Sequence, residues 1–163
     1  MHKITILNVL LLFSGAVAFA VEVGSLPTSE YADTEVSTNF TFSVGEGGGR
    51  RLVFSLELQA TPTNNVEVAI GHDANCDGHL SIDETALAVG YDCGEWFVRS
   101  AAKDSVTYSD AAVSGTVRRT YEVRSRHIDP LWNLVKVTRR GLGVTNEDIS
   151  IYLVESGFGV IMR

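Results

Sequence analysis

The run from Arg51 to Ala60 constrains this chain most. Its apolar residues Leu52, Phe54, Leu56, Leu58 and Ala60 alternate with Ser55, Glu57 and Gln59. A period of two puts the first set on one face of a strand, whereas a helix would scatter it around the axis. The same alternation recurs at Phe40, Phe42 and Val44, at Val66, Val68 and Ile70, at Val117, Tyr121 and Val123, and at Ile149, Ile151 and Leu153. Turn-forming clusters separate these runs: Gly45 to Gly49, Thr61 to Asn65, Asp92-Cys93-Gly94, Gly141-Leu142-Gly143 and Glu155-Ser156-Gly157. Almost no segment has a helical period. Roughly eight to ten short strands at regular spacing predict an all-β chain, a single antiparallel β-sandwich of jelly-roll type. Val21 to Ser37 reads as an irregular lead-in with one short edge strand. Phe158 to Met162 reads as a last strand beside Ile149 to Val154.

Between the Val66–Ile70 strand and the extended Ala86–Tyr91 stands Asp73-Ala74-Asn75-Cys76-Asp77-Gly78-His79-Leu80-Ser81-Ile82-Asp83-Glu84. It fills every position of the calcium-loop pattern D-x-[DN]-x-[DN]-G-x5-E. Asp73, Asn75 and Asp77 offer side-chain oxygens, and Gly78 permits the sharp turn. His79 offers its backbone carbonyl, Ser81 acts directly or through water, and Glu84 closes the site with both oxygens. Leu80 is apolar and can anchor the loop to a core. Ca²⁺ is a hard cation that takes six to eight oxygens, which this spacing supplies. The twelve residues resemble the EF-hand and dockerin-type calcium loops. The segments on either side are strand-patterned, so the helix pair of an ordinary EF-hand is not expected, and a dockerin would carry two such loops. The expectation is therefore a calcium loop joining two strands. Its alternative is an Asp/Asn/Gly-rich turn that binds nothing.

The chain opens with Lys3, an apolar stretch from Ile4 to Phe19, and Ala18-Phe19-Ala20. This is the layout of a secretory signal peptide over residues 1–20, with cleavage after Ala20 and one domain over 21–163. The apolar stretch is short for a membrane span, which needs about 20 residues. Export to a secreted, periplasmic or cell-surface location follows, with no membrane span after cleavage. With 13 basic against 20 acidic residues, the net charge of −7 offers no footprint for nucleic acid. An oxidising destination favours a disulfide between Cys76 and Cys93. Strand geometry opposes it, because the intervening strand carries Cys93 some 20 Å from the loop.

Catalytic signals are weak. Ser100-Ala101-Ala102-Lys103 matches the S-x-x-K of serine β-lactamases but lacks its S-D-N and K-T-G companions. His127-Ile128-Asp129 sets a base near a carboxylate with no nucleophile beside it. Arg118, Arg124 and Arg126 form a basic row that reads as a solvated or edge-guarding face. No enzyme is expected. The lead-in Tyr31 to Asn39, the strand-entered loop and Gly90-Tyr91-Asp92-Cys93-Gly94-Glu95-Trp96-Phe97 together resemble small, uncharacterised exported bacterial β proteins, a likeness that implies no activity. The leading expectation is a non-catalytic surface or extracellular structural or binding module with one structural calcium site. A carbohydrate-binding module, stacking a glycan on Tyr91, Trp96, Tyr108 and Trp132, is the alternative. A fibre subunit pairing strand edges, or a module that binds a cell-surface protein, are the others.

Overall fold

The computed structural model describes residues 11–13, 16–30, 35–44, 50–58, 65–100, 105–113, 116–140 and 145–156. Eleven strands follow in order: β1 (Leu11–Phe13), β2 (Ala16–Glu30), β3 (Val36–Thr41), β4 (Arg50–Leu58), β5 (Asn65–Gly71), β6 (Thr85–Asp92), β7 (Glu95–Ser100), β8 (Val106–Val113), β9 (Thr116–Val123), β10 (Leu134–Arg140) and β11 (Thr145–Ser156). A single 3-10 turn, Ser125–His127, lies between β9 and β10. The chain is all-β, as the alternation predicts.

The pairing is that of a nested hairpin. β5 and β6 form the innermost antiparallel pair, and around them β4 pairs with β9, β3 with β10 and β2 with β11. Successive pairs fall in alternate sheets, joined side by side where β11 meets β4 and β10 meets β5. The result is a six-stranded sheet, β1-β2-β11-β4-β9-β8, and a five-stranded sheet, β3-β10-β5-β6-β7. This is jelly-roll winding, with β7 and β8 inserted between β6 and β9 as extra edges. The calcium-type loop is therefore the apex of the hairpin from which the roll is wound.

The facing sides supply one core. Leu52, Phe54, Leu56 and Leu58 of β4 are fully buried against Val66, Val68 and Ile70 of β5, with Val135, Val137, Ile149 and Ile151. Truncating such a leucine to alanine costs about 2–5 kcal/mol, because packed walls close only partly on the cavity. Tyr121 of β9 crosses between the sheets, donating its hydroxyl to the Gly90 carbonyl of β6 at 3.3 Å. Burial pushes its phenol up to about 12. Arg119 closes one side of the sandwich. Its guanidinium lies 4.6 Å from the Trp96 ring and 4.3 Å from the Tyr108 ring, and it binds both oxygens of Asp110.

Two expectations need amendment. Val21 to Glu30 is not an irregular lead-in but the body of β2, paired along β11. Its small polar side chains hide the strand signal, and hydrogen bonds to β11 override local propensity. Pro27 is tolerated there because β1 pairs only with Ala16 to Ala18, so at Pro27 the far edge of β2 has no pairing strand among the described residues. Of the short strand expected at Ser105 to Tyr108, Val106 to Tyr108 belong to the longer β8, and Ser105 precedes it. Arg118, Arg124 and Arg126 are exposed, as a solvated face requires, and Arg118 pairs through Nε, at 2.7 Å, with the buried Glu57. The expected strand Phe158 to Met162 and the Gly45–Gly49 and Thr61–Asn64 turns lie outside the described residues.

Candidate metal centre

The β5–β6 connection is held by its own side chains. Asp73, only 5% exposed, accepts the N–H of Asp77 at 3.2 Å and of Gly78 at 2.8 Å, one on each carboxylate oxygen. Asn75 Oδ1 accepts the Asp77 N–H at 3.0 Å, and Asp77 Oδ1 accepts the His79 N–H at 2.8 Å. Asx side chains favour this bond to a nearby N–H, which bends the chain without strand or helix. Gly78 sits at φ 78°, where a side chain would be strained.

Glu84 closes the ring. Its Oε2 accepts the N–H and hydroxyl of Ser81 at 3.0 and 2.7 Å, while Oε1 reaches back to the Ala74 N–H at 3.3 Å. These donors, Ser81 foremost, hold its carboxyl below the usual value, with desolvation and then the like charge of Asp77 working against them. The last acid of the motif is thus tied to the backbone of the residue after the first. Gly71 makes the closure fit, because a Cβ there would meet the Glu84 carbonyl oxygen at 1.8 Å.

Two residues distant in sequence lock the loop to the sandwich. Asn133, just before β10, accepts the Asp73 N–H at 2.8 Å and returns its own amide to the Asp73 carbonyl at 3.1 Å. Asn39 of β3 donates its amide to the Gly78 carbonyl. Neither was legible as part of the site, since nothing local marks them; Asn39 carries only the N-x-T spacing of a glycosylation sequon. Leu80 does anchor the loop, as expected, but on the outer face of the five-stranded sheet. There it is 8% exposed in a second small cluster with Ala69, Ala88 and Leu134, against Phe97.

The structure joins Asp73, Asn75, Asp77 and the His79 N–H in one hydrogen-bonded network, and binds Ser81 to Glu84, which reaches that network through the Ala74 N–H. Among the described residues no three His, Cys, Asp or Glu side chains form a ready chelating group, because the acids turn onto the loop's N–H groups. The donor chemistry nevertheless fits a hard cation. Each carboxylate has about four lone-pair sites, of which backbone N–H groups take one or two here, and every other candidate ligand is an oxygen.

The chain matches no family model, no curated protein and no solved structure.

Other chemistry finds less support. A cleft of about 700 Å³ beside the loop is walled by Ile82, Arg99, Ser100, His127 and Trp132 among others. His127 Nε2, the lone pair a general base would use, already accepts the Arg126 Nε–H at 2.9 Å. Of the four aromatics proposed to stack on a glycan, Tyr91 and Trp132 are buried in the core. Trp96 is half-buried edge-on to Tyr91, 5.1 Å between centroids, and the Tyr108 ring carries Arg119. They make no open platform. Cys76 and Cys93 are both exposed and unpaired, at opposite ends of the eight-residue β6. At about 3.3 Å per residue that strand sets them far beyond disulfide reach.

Proposed function

We propose that this chain is an exported, non-catalytic β-sandwich module whose β5–β6 loop binds one calcium ion in a structural role, at the cell surface or outside the cell. The observation that carries the reading is the closure of the loop. Glu84 accepts from Ser81 and reaches back to the Ala74 N–H, so the end of the twelve-residue motif is bonded to its start. Asp73, Asn75, Asp77, the His79 carbonyl, Ser81 and Glu84 would hold the ion. Its charge would relieve the repulsion among the three acids. Because Asn133 and Asn39 fasten the loop to β10 and β3, the benefit would reach the strands rather than stay in the turn. Affinity is expected on the order of 10⁻⁴ to 10⁻³ M, as in extracellular modules.

Titration calorimetry tests the ligand set. The wild-type chain should take up one Ca²⁺, and Glu84→Gln should weaken that at least tenfold. Unchanged uptake by the variant would remove Glu84 from the site, and no uptake by the wild type would reduce the loop to a turn.

A further inference from the structure

Strand edges are where sheets recruit partners, and proteins guard them with brevity, lysine, proline or bulges. The edges here are guarded unequally. β3 and β7 have six residues each, and β7 carries Glu95 and Arg99. β2 carries Pro27. β8 has none of these protections. It ends the six-stranded sheet and pairs with β9 in unbroken register from Val106↔Val123 to Val113↔Thr116. Its eight residues, Val-Thr-Tyr-Ser-Asp-Ala-Ala-Val, include no lysine, arginine or proline. Thr107 to Ala112 are exposed on both faces, Tyr108 to 58%. Its one charge, Asp110, is neutralised by the two bonds from Arg119. No strand borders its outer edge among the described residues.

We propose that β8 pairs antiparallel with β8 of a second copy of this chain, joining the two six-stranded sheets into one. Two-fold symmetry requires that one residue face its own counterpart. A centre on Asp110 would oppose two carboxylates. A centre on Ser109 avoids this and sets small against larger side chains: Asp110 faces Tyr108 of the second copy, Ala111 faces Thr107, and Ala112 faces Val106. Directly opposed residues have Cβ atoms about 4.5–5.5 Å apart, so Ser109 meets its counterpart closely. One strand pair is a small interface, so the dimer is weak and concentration-dependent. This proposal does not depend on calcium.

Sedimentation and cross-linking test it. The protein should move from monomer toward dimer mass over a hundredfold rise in concentration. Ser109→Lys, which opposes two ammonium groups at the centre, should abolish that shift with an unchanged melting temperature. In a Cys76→Ser, Cys93→Ser background, Ser109→Cys treated with a small-molecule disulfide should form covalent dimer at least tenfold faster than Ala111→Cys, whose counterpart is not opposite. This second arm decides the matter should Ser109→Lys fold poorly. A wild type that stays monomeric throughout, a Ser109→Lys variant that dimerises equally, or equal cross-linking at both positions would each overturn the proposal.

Discussion

At one end of β6 the chain reverses through Cys93 and Gly94 alone; at the other it takes residues 72–84 to make the same reversal. The short turn needs only backbone geometry, both residues having positive φ, 45° and 112°. Paired strands on either side already satisfy its amides. The long connection has many N–H groups and no strand to receive them. Asp73, Asn75, Asp77 and Glu84 receive them instead. A hairpin closed by backbone asks nothing of its surroundings. One closed by acids is held together by groups that repel one another, which leaves a role for a cation.

The sharpest way to break the comparison is to cut the long connection loose. Asn133→Ala removes two bonds to Asp73 and leaves buried backbone groups unsatisfied, for a loss of about 2 kcal/mol in denaturant unfolding. A loss within error would mean that the loop is as self-sufficient as the turn. Calcium comes next. At a free concentration ten times Kd it should stabilise by about 1.4 kcal/mol, or roughly 3–6 °C in Tm for a domain of this size. The shift should vanish in Glu84→Gln, and the β signature in circular dichroism should survive chelation at room temperature. Loss of all β signal on chelation would mean that the core cannot stand without the ion.

The short turn sharpens the contrast from the other side. Cys93→Asn installs the Asn-Gly pair that such turns favour and should raise stability by about 0.5–1 kcal/mol, with calcium affinity unchanged. Acid gives the smallest effect. The carboxyl of Glu84 is held below its ordinary 4.5 in the folded chain, so its contribution is present above that pH and is lost as pH falls through the lowered value. Melting curves in calcium-free buffer should therefore bring wild type and Glu84→Gln together on acidification below 4.5. A gap that widens there would reverse the sign.

The order of pairing and the place of the loop have different origins. Leu52, Phe54, Leu56 and Leu58, like Val66, Val68 and Ile70, declare their buried face by alternation, and a half-buried strand leaves no other solution. The twelve positions from Asp73 to Glu84 are equally local, since each Asx bond spans only a few residues. That much the amino-acid order determined by itself, down to Leu80 as an anchor. Tertiary structure alone decided that Asn133 and Asn39, 60 and 39 residues from their partners, would fasten the loop. It decided also that Val21 to Glu30 would pair along β11, and that Thr107 to Ala112 of β8 would stay exposed. A bond to a distant strand leaves no period in the sequence, and an exposed edge is defined by what fails to pack on it.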